Sequence, residues 1–194
     1  MRVGVLAIQG AYFKHQEVLN RLNVDNDLIR NPGELNSIDA LIIPGGESTT
    51  ITKVLKSEGW IEQVSRFARE HPVFGTCAGA ILLATKVDSD KVVPWNVIDM
   101  SVSRNAYGRQ VESFVGEINW SGNGQQETLP AVFIRAPKIL ETGSGVESIG
   151  SLDGDPVIVR QGNAMAATFH PELTQSTAVH RYFVEQVCTQ VTVS

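Results

Sequence analysis

Short apolar runs that each lead into a helix-like segment are the feature of this sequence that most constrains its fold. VGVLAI (residues 3–8), ALII (40–43) and PVFGT (72–76) are continuous apolar runs, as expected of strands buried on both faces of a sheet. After the first run, Ala11, His15, Val18 and Leu22 mark one face of a helix. This alternation predicts an α/β fold with a doubly wound, open, mixed and mostly parallel sheet, flanked by helices in a flavodoxin-like three-layer arrangement.

The second half of the chain changes character. From about Asn96 to Ser151, shorter strand-like pieces alternate with turns containing Gly and Asn, which predicts an added mixed or antiparallel section. PVIVRQG and AMAATFH are typical of a hairpin, and Leu173 to Val191 of a closing helix. Because there is no internal repeat or low-complexity linker, and 194 residues suit one core, we expect a single domain over residues 1–194.

Charge and composition exclude several classes of protein. The formal net charge is −5 and no basic run stands out, so we expect no nucleic-acid partner. No apolar stretch approaches the roughly 18 residues that span a bilayer, and the N-terminus lacks the pattern of an export signal. Cys77 and Cys188 are far apart and outside any metal-ligand spacing, so we expect a cytoplasmic protein without metal or disulfide.

Cys77 lies between two glycines at the junction of a strand-like and a helix-like run. Gly75-Thr76-Cys77-Ala78-Gly79 has the form G-x-C-x-G, the cysteine version of a nucleophile elbow, in which glycines permit a sharp turn. A following helix N-terminus or a neighbouring imidazolium would favour the thiolate. On this pattern alone, a buried structural cysteine is an equally good interpretation.

His170 and Glu172 are two residues apart. In an extended segment both would point to the same side, and the carboxylate could then fix the histidine tautomer for a nucleophile. Alternatively, His170 makes an ordinary hydrogen bond and Glu172 caps the following helix. The remaining histidines, His15, His71 and His180, show no partner pattern, and we expect them to be structural.

Other polar residues also follow candidate strands. Gly45-Gly46 ends an apolar run without forming a phosphate-loop motif, so it is either a simple turn or a source of backbone N–H groups for an oxyanion. Arg104-Asn105 and Arg135 offer positive charge for a substrate carboxylate, although arginines are more often surface or ion-pair residues. Because strand ends converge in open α/β sheets, the set predicts one site.

At this point the sequence resembles a known family. The ordered blocks LAIQG, LIIPGGEST, FGTCAGAILLA, SRNAYGRQVESF, VFIRAP and FHPEL are similar to those of class I, triad-type glutamine amidotransferases. More narrowly, they resemble the glutaminase subunits of pyridoxal 5′-phosphate synthase, a lyase complex of vitamin B6 biosynthesis. The blocks span nearly the whole chain, and no motif position departs from the family pattern.

The resemblance implies hydrolysis of L-glutamine to glutamate and ammonia through a glutamyl thioester, without a cofactor. Cys77 would be the nucleophile, His170 the general base and acid, and Glu172 the residue that orients the histidine. The residues implied for the glutamine site are Gly45, Gly46, Glu47, Arg104, Ile134 and Arg135, with the backbone N–H groups of Gly46 and Ala78 as the oxyanion hole.

A partner follows from the chemistry of ammonia, which must reach an acceptor before it is protonated. This chain has no second catalytic constellation, so the acceptor site would belong to another polypeptide. The resemblance implies a (β/α)₈-barrel synthase subunit in a 12:12 complex, with Gln9-Gly10 and the Arg104–Gln110 loop as coupling segments. Ordinary loop structure is the alternative interpretation of both segments.

Three alternative functions stay open. The first is a glutaminase subunit serving another synthase, such as imidazole glycerol phosphate synthase, against which the PGGEST, GRQ and FIRAP blocks argue. The second is a γ-glutamyl hydrolase with the same elbow architecture. The third is a non-catalytic binding subunit, which would be expected to have lost Cys77, His170 or Glu172.

Overall fold

The computed structural model describes residues 1–104, 113–122 and 124–189. Its strands are β1 (Arg2–Leu6), β2 (Asp25–Ile29), β3 (Ala40–Ile43), β4 (Val73–Thr76), β5 (Ala84–Val87), β6 (Ile98–Ser103), β7 (Ser113–Trp120), β8 (Glu127–Ile134), β9 (Lys138–Thr142), β10 (Glu147–Leu152), β11 (Asp155–Gln161) and β12 (Ala164–Ala167). Its helices are α1 (Tyr12–Arg21), α2 (Ser48–Ser57), α3 (Ile61–Glu70), α4 (Ala78–Leu83) and α5 (Ala178–Tyr182), with 3-10 segments at Pro32–Ser37 and Pro171–Leu173. None of the described helices has both the length and the apolar character that a membrane crossing requires.

A nine-stranded mixed sheet runs in the order β2-β1-β3-β4-β12-β11-β10-β7-β8, and β5-β6-β9 form a smaller sheet. The predicted α/β class and mixed sheet are confirmed. Parallel pairs are nevertheless not the majority. Within the described residues, four neighbouring pairs of the large sheet are parallel and four are antiparallel, because strands from the second half extend the same sheet.

Helices cover both faces of the parallel half, as double winding requires. All four residues of β3 are buried, and they alternate between two apolar clusters. Leu41 and Ile43 pack in the cluster that contains residues of α2, α3 and α4. Ala40 and Ile42 pack in the other, which contains residues of α1 and α5. Period-two alternation in a strand covered on both faces explains why the sequence there is uniformly apolar.

The C-terminal part differs from the prediction. The predicted hairpin is present as antiparallel β11 and β12. The closing helix, predicted from Leu173, begins only at Ala178 and continues as a π-helical turn, Phe183–Val187. Hydroxyl groups explain the delay, since Thr174 Oγ1 donates to the Pro171 carbonyl at 3.0 Å and Ser176 Oγ accepts the Ala178 N–H at 3.2 Å. Such local bonds compete with helix formation. Residues 190 and 191 lie outside the described part.

Candidate active site

The predicted site residues come together at one edge of the large sheet, where β1, β3, β4 and β12 run in parallel and end side by side. Ligands of open α/β sheets bind at such an edge. A cavity of about 530 Å³ opens there. It is lined by Gln9, Ala11, Gly46, Glu47, Ser48, Cys77, Ile81, Arg104, Ile134, Arg135, His170 and Leu173.

Cys77 occupies a sharp turn between β4 and α4. Its backbone has φ of 48° and ψ of −103°, a conformation that residues other than glycine rarely adopt. The flanking glycines allow strand and helix to approach closely. A Cβ on Gly75 would lie 2.5 Å from the carbonyl carbon of Gly79, and a Cβ on Gly79 would lie 2.1 Å from the Ile43 carbonyl oxygen. The Cys77 N–H donates to the Ala167 carbonyl at 2.8 Å, which ties the turn to β12.

His170 and Glu172 form a buried pair beside Cys77. His170 Nδ1 lies 2.7 Å from Glu172 Oε1, and only 7% of His170 and 3% of Glu172 are exposed. An extended segment was expected here, but Glu172 lies in the 3-10 turn Pro171–Leu173. The turn itself brings the carboxylate to the ring. The ring and Cys77 are close neighbours, since a Cβ on Gly45 would lie 2.3 Å from His170 Cε1 and 3.2 Å from Cys77 Cβ.

The charges of this group follow from its contacts. Burial alone would lower the pKa of His170, but hydrogen bonds and negative charge from Cys77 and Glu172 outweigh it and raise the pKa to about 10. Burial would raise the pKa of Glu172, whereas the His15 and His170 rings lower it below its usual value. At neutral pH the pair is therefore imidazolium and carboxylate.

The glycine loop after β3 packs directly against His170. A Cβ on Gly45 would lie 2.3 Å from His170 Cε1, so the ring can take its position only beside glycine. The Gly45 N–H donates to Thr76 Oγ1 at 3.1 Å. On the other side, Gly10 has φ of 88°, and a Cβ there would lie 1.7 Å from the Gly45 carbonyl oxygen. The loop is thus held between the end of β1 and the histidine, with Gly46 facing the cavity.

Glu47 begins α2 as its N-cap. Its carboxylate accepts the backbone N–H groups of Thr49 and Thr50 at 3.1 and 2.7 Å, together with both threonine hydroxyls, and contacts Arg104 Nη2 at 3.2 Å. Burial would raise the pKa of Glu47, but the threonine hydrogen bonds lower it to about 2. Its backbone N–H donates to Gln9 Oε1 at 3.2 Å. The carboxylate therefore acts on the cavity through the position that it gives to Arg104.

Two arginines and a carbonyl group line the same cavity. Arg104 Nη1 donates to Ser89 Oγ at 3.0 Å. Arg135 has φ of 43°, in the left-handed region that favours glycine. The preceding carbonyl, of Ile134, accepts the Cys77 thiol at 3.8 Å. An anionic group bound above the cysteine would therefore have two guanidinium groups within the same cavity.

Two histidines, His15 and His180, adjoin this group, although the sequence showed no partner pattern for either of them. Both are fully buried, and His15 Nδ1 lies 2.9 Å from His180 Nε2. His15 Nε2 lies 3.2 Å from Thr76 Oγ1 and 3.5 Å from Glu172 Oε2. In the sequence, the indication for a buried His15 was its place on the apolar face of a predicted helix. No spacing pattern indicated that His180 or Thr76 would lie beside it.

The third histidine is separate from this cluster. His71 stacks on Phe67 with ring centroids 4.1 Å apart. Within the described ranges, no group of three or more His, Cys, Asp or Glu side chains is arranged to hold a metal ion. Of the predicted coupling loop Arg104–Gln110, Asn105 and the rest up to Gln110 lie outside the described residues.

Residues 5–189 match the SNO glutamine amidotransferase family. The chain belongs to this family. A curated relative from Thermotoga petrophila, named pyridoxal 5′-phosphate synthase subunit PdxT, is 47% identical over 188 residues, which cover 96% of this chain and 100% of the relative. A relative of the same name from Koribacter versatilis is 47% identical over 187 residues, covering 96% of each chain.

Solved structures agree with the membership in the amidotransferase family. One described as a glutamine amidotransferase superposes with a TM-score of 0.86 at 43% identity, covering 94% of this chain and 97% of that one. A glutamine amidotransferase from Thermotoga maritima has a TM-score of 0.61 at 13% identity, covering 100% of this chain and 86% of that one. The second likeness shows the fold alone.

These matches confirm the family resemblance inferred from the motif blocks. The roles of individual residues in this family member stay predictions. Gly46, Glu47, Cys77, Arg104, Ile134, Arg135 and His170 line the cavity, as the predicted roles require. Gly45 lies behind the His170 ring, and Ala78 is fully buried as the first residue of α4.

Proposed function

We propose that this chain is the glutaminase subunit of a pyridoxal 5′-phosphate synthase and hydrolyses L-glutamine to L-glutamate and ammonia. The observation that carries the proposal is the buried contact between Cys77, His170 and Glu172 beside a cavity with two arginines. The names of the relatives, which are 47% identical over nearly the whole chain, support the assignment to this synthase.

Glutamine enters with its side-chain amide toward Cys77. Its α-carboxylate pairs with the guanidinium groups of Arg104 and Arg135, since a guanidinium matches a carboxylate with two parallel hydrogen bonds. Gly45, Gly46, Glu47 and Ile134 complete the substrate site. With the α-carboxylate held by the arginines, the length of the glutamine side chain places the amide carbon beside the Cys77 sulfur. The arginines thus recognise the amino-acid end of the substrate, and Cys77 attacks the amide at the other end.

In the first half-reaction, the Cys77 thiolate attacks the side-chain amide carbon and a C–S bond forms. The carbonyl π electrons move to oxygen, and the N–H groups of Gly46 and Ala78 stabilise this oxyanion; one such donor is typically worth roughly 10²–10³ in rate. The His170 imidazolium gives its proton to the amide nitrogen. The C–N bond breaks, ammonia leaves, and the glutamyl thioester remains.

In the second half-reaction, His170 is neutral and acts as a base. It takes a proton from a water molecule as the water oxygen attacks the thioester carbonyl. The second tetrahedral oxyanion collapses with cleavage of the C–S bond, which releases glutamate and regenerates the Cys77 thiolate beside the His170 imidazolium. Glu172 holds the ring in one orientation and stabilises its positive charge in both halves.

Ammonia leaves for a second polypeptide, which we propose to be a (β/α)₈-barrel synthase subunit in a 12:12 complex. Most ammonia is protonated near neutral pH, and ammonium cannot attack a carbonyl group, so direct transfer protects the nucleophile. Gln9-Gly10 is well placed to sense docking, because Gln9 lines the cavity and holds the Glu47 N–H.

The chain is further proposed to act as a single glutamine amidotransferase domain over residues 1–194, in the cytoplasm. The family match over residues 5–189 supports the single domain. Both cysteines are free, which suits a reducing compartment.

Glutamate release from L-glutamine, measured with and without a purified synthase barrel, tests this function. Cys77→Ala serves as the blank and Cys188→Ala as the matched cysteine control, since Cys188 lies in the C-terminal segment away from the cavity. We expect release that rises with the barrel, disappears in Cys77→Ala and persists in Cys188→Ala.

Each of the other possible results would indicate a different function. Strong release that is indifferent to this barrel would keep the glutaminase and assign it to another synthase, for example an imidazole glycerol phosphate synthase. Release from γ-glutamyl peptides but not from glutamine would identify a γ-glutamyl hydrolase. No hydrolysis under any condition would contradict the enzyme assignment altogether.

A further inference from the structure

Only one of the two carboxylate oxygens of Glu172 has a hydrogen-bond partner among the described residues. Oε1 lies 2.7 Å from His170 Nδ1, while Oε2 is buried without a hydrogen-bond partner among the described residues. An unpaired buried anionic oxygen is strongly unfavourable. The group that faces it is the His15 ring, whose Nε2 lies 3.5 Å away, with both side chains fully buried.

The His15 ring is fixed by its surroundings. Its Nδ1 lies 2.9 Å from His180 Nε2, and its Nε2 is 3.2 Å from Thr76 Oγ1. Phe74 meets both imidazoles edge-on, with centroid distances of 6.5 Å to His15 and 5.7 Å to His180. Because α1, β4 and α5 all contribute to this packing, the ring has little freedom to turn away from Glu172.

Electrostatics select one tautomer of the two rings. Burial lowers the pKa of His15 and lowers that of His180 to about 3, so both are neutral at physiological pH. If His15 Nε2 carried a lone pair, that lone pair would face the Glu172 anion. The favourable arrangement has a proton on His15 Nε2, so that Nδ1 accepts the Nε2–H of His180. His180 Nδ1, which has no partner among the described residues, then bears a lone pair rather than an unpaired N–H.

We propose that His15 is a positioning residue of the glutaminase reaction: supported by His180, it presents its Nε2–H to Glu172 Oε2 and thereby keeps Oε1 on His170. This role rests on the proposed function. The separation is 3.5 Å in the free chain, and catalytic hydrogen bonds commonly tighten in the substrate complex.

The same ring also reaches the glycine loop. Thr76 Oγ1, 3.2 Å from His15 Nε2, accepts the Gly45 N–H at 3.1 Å, and Gly45 packs against the His170 ring. The single His15 Nε2–H therefore lies between two acceptors, Glu172 Oε2 beside the histidine and Thr76 Oγ1 beside the loop.

The test compares His15→Leu, which keeps bulk but removes the donor, with His15→Gln, whose amide N–H can replace Nε2–H. His71→Leu is the matched control, because His71 stacks on Phe67 outside the cavity. In the full chain with its synthase partner, we expect His15→Leu to lower kcat by roughly 10- to 100-fold, the size of loss seen when a group that orients a metal-binding residue is removed. His15→Gln should recover most of the loss, and His71→Leu should match the wild type.

The pH profile separates positioning from packing. The titratable groups facing His15 are Glu172 and His170 at the end of β12 and His180 on α5, with Arg21 acting on His180 and Cys77 on His170. A hydrogen-bond donor to a carboxylate favours its charged form, so losing the His15 Nε2–H lets the pKa of Glu172 rise. The acid limb of kcat/KM therefore moves to higher pH in His15→Leu and returns in His15→Gln, whereas a packing defect would leave the limb in place.

Alkylation of Cys77 by iodoacetamide, mapped by mass spectrometry to exclude Cys188, gives a readout independent of glutamine. If the wild type shows no glutaminase activity, the proposed function is wrong. Slower alkylation in His15→Leu, with recovery in His15→Gln, would still support the positioning role. Unchanged alkylation and an unmoved acid limb in His15→Leu would overturn it. If His15→Leu does not fold, His180→Phe is measured instead, because it removes the hydrogen bond that supports His15. The proposal expects the acid limb of kcat/KM to move to higher pH in this variant as well. An acid limb that stays in place overturns the proposal.

Discussion

Cys77 and His170 are in contact while almost all of their surface is removed from water. Two features of the chain create this: a strained cysteine backbone between glycines, and a 3-10 turn that brings Glu172 to the imidazole. The G-x-C-x-G and H-P-E patterns pointed to these residues because each motif is local. His15, Thr76 and His180 were missed because their contacts join α1, β4 and α5, and a single sequence carries no signal for such pairing.

Glu172→Gln should shift the alkaline limb of activity. The pKa of His170 is raised to about 10, partly by Glu172, so the ion pair is complete below the ordinary histidine pKa and is lost as pH rises through about 10. Without the carboxylate the pKa of His170 falls, and we expect the alkaline limb to move to lower pH. We also expect kcat to fall by roughly 10²- to 10⁴-fold, as when an orienting carboxylate is removed.

A pH–rate profile of kcat measures this change. Glu117→Gln, at an exposed position of β7, is the control for removing one negative charge and should leave both limbs in place. An equal effect of the two substitutions, or a Glu172→Gln profile that keeps its alkaline limb, would contradict the pairing of Glu172 with His170.

At the level of elements, buried strands were predictable and edge strands were not. β1, β3 and β4 are apolar because both of their faces are covered. β2 has the sequence DNDLI and a mixed burial pattern, since it lies at the edge of the sheet and pairs with β1 alone among the described strands. Strand pairing there stabilises a segment whose side chains give no strand signal. The same reason explains why the antiparallel share of the sheet was underestimated.

The start of α2 carries a prediction of its own. Glu47 caps this helix and holds Arg104. Glu47→Gln weakens both interactions, so we expect the free energy of unfolding to fall by about 1 kcal/mol, as for other N-cap losses. We also expect KM for glutamine to rise several-fold with a smaller change in kcat, because Arg104 loses its ion pair. Urea denaturation and steady-state kinetics measure the two effects.

Glu62→Gln provides the matched control, because Glu62 is an exposed acidic residue in the first turn of α3. The pKa of Glu47 is about 2, so its contribution to stability is present above the ordinary glutamate pKa and is lost as pH falls through about 2. The stability difference between wild type and Glu47→Gln should therefore narrow in strong acid. A difference that is constant with pH would show that the carboxylate charge is not what caps the helix.

On the scale of the whole molecule, the fold brings distant blocks of sequence to one edge of a sheet. The cavity collects residues from the ends of β1, β3, β4 and β8 and from the segment after β12. The sequence predicted this convergence because parallel strands place their carboxyl ends together. It could not predict the side-chain contacts across the cavity, which depend on the packing of α1 and α5 against the sheet. The partner surface stays a prediction, since it belongs partly to another chain.

The most direct measurement is intact-mass and peptide mass spectrometry of the full chain, acid-quenched during turnover of L-glutamine. We predict a glutamyl adduct on the peptide that contains Cys77, present in Cys188→Ala and absent from Cys77→Ala. Ammonia release that continues in Cys77→Ala, with no adduct on wild type, would contradict the thioester mechanism and with it the central role of Cys77.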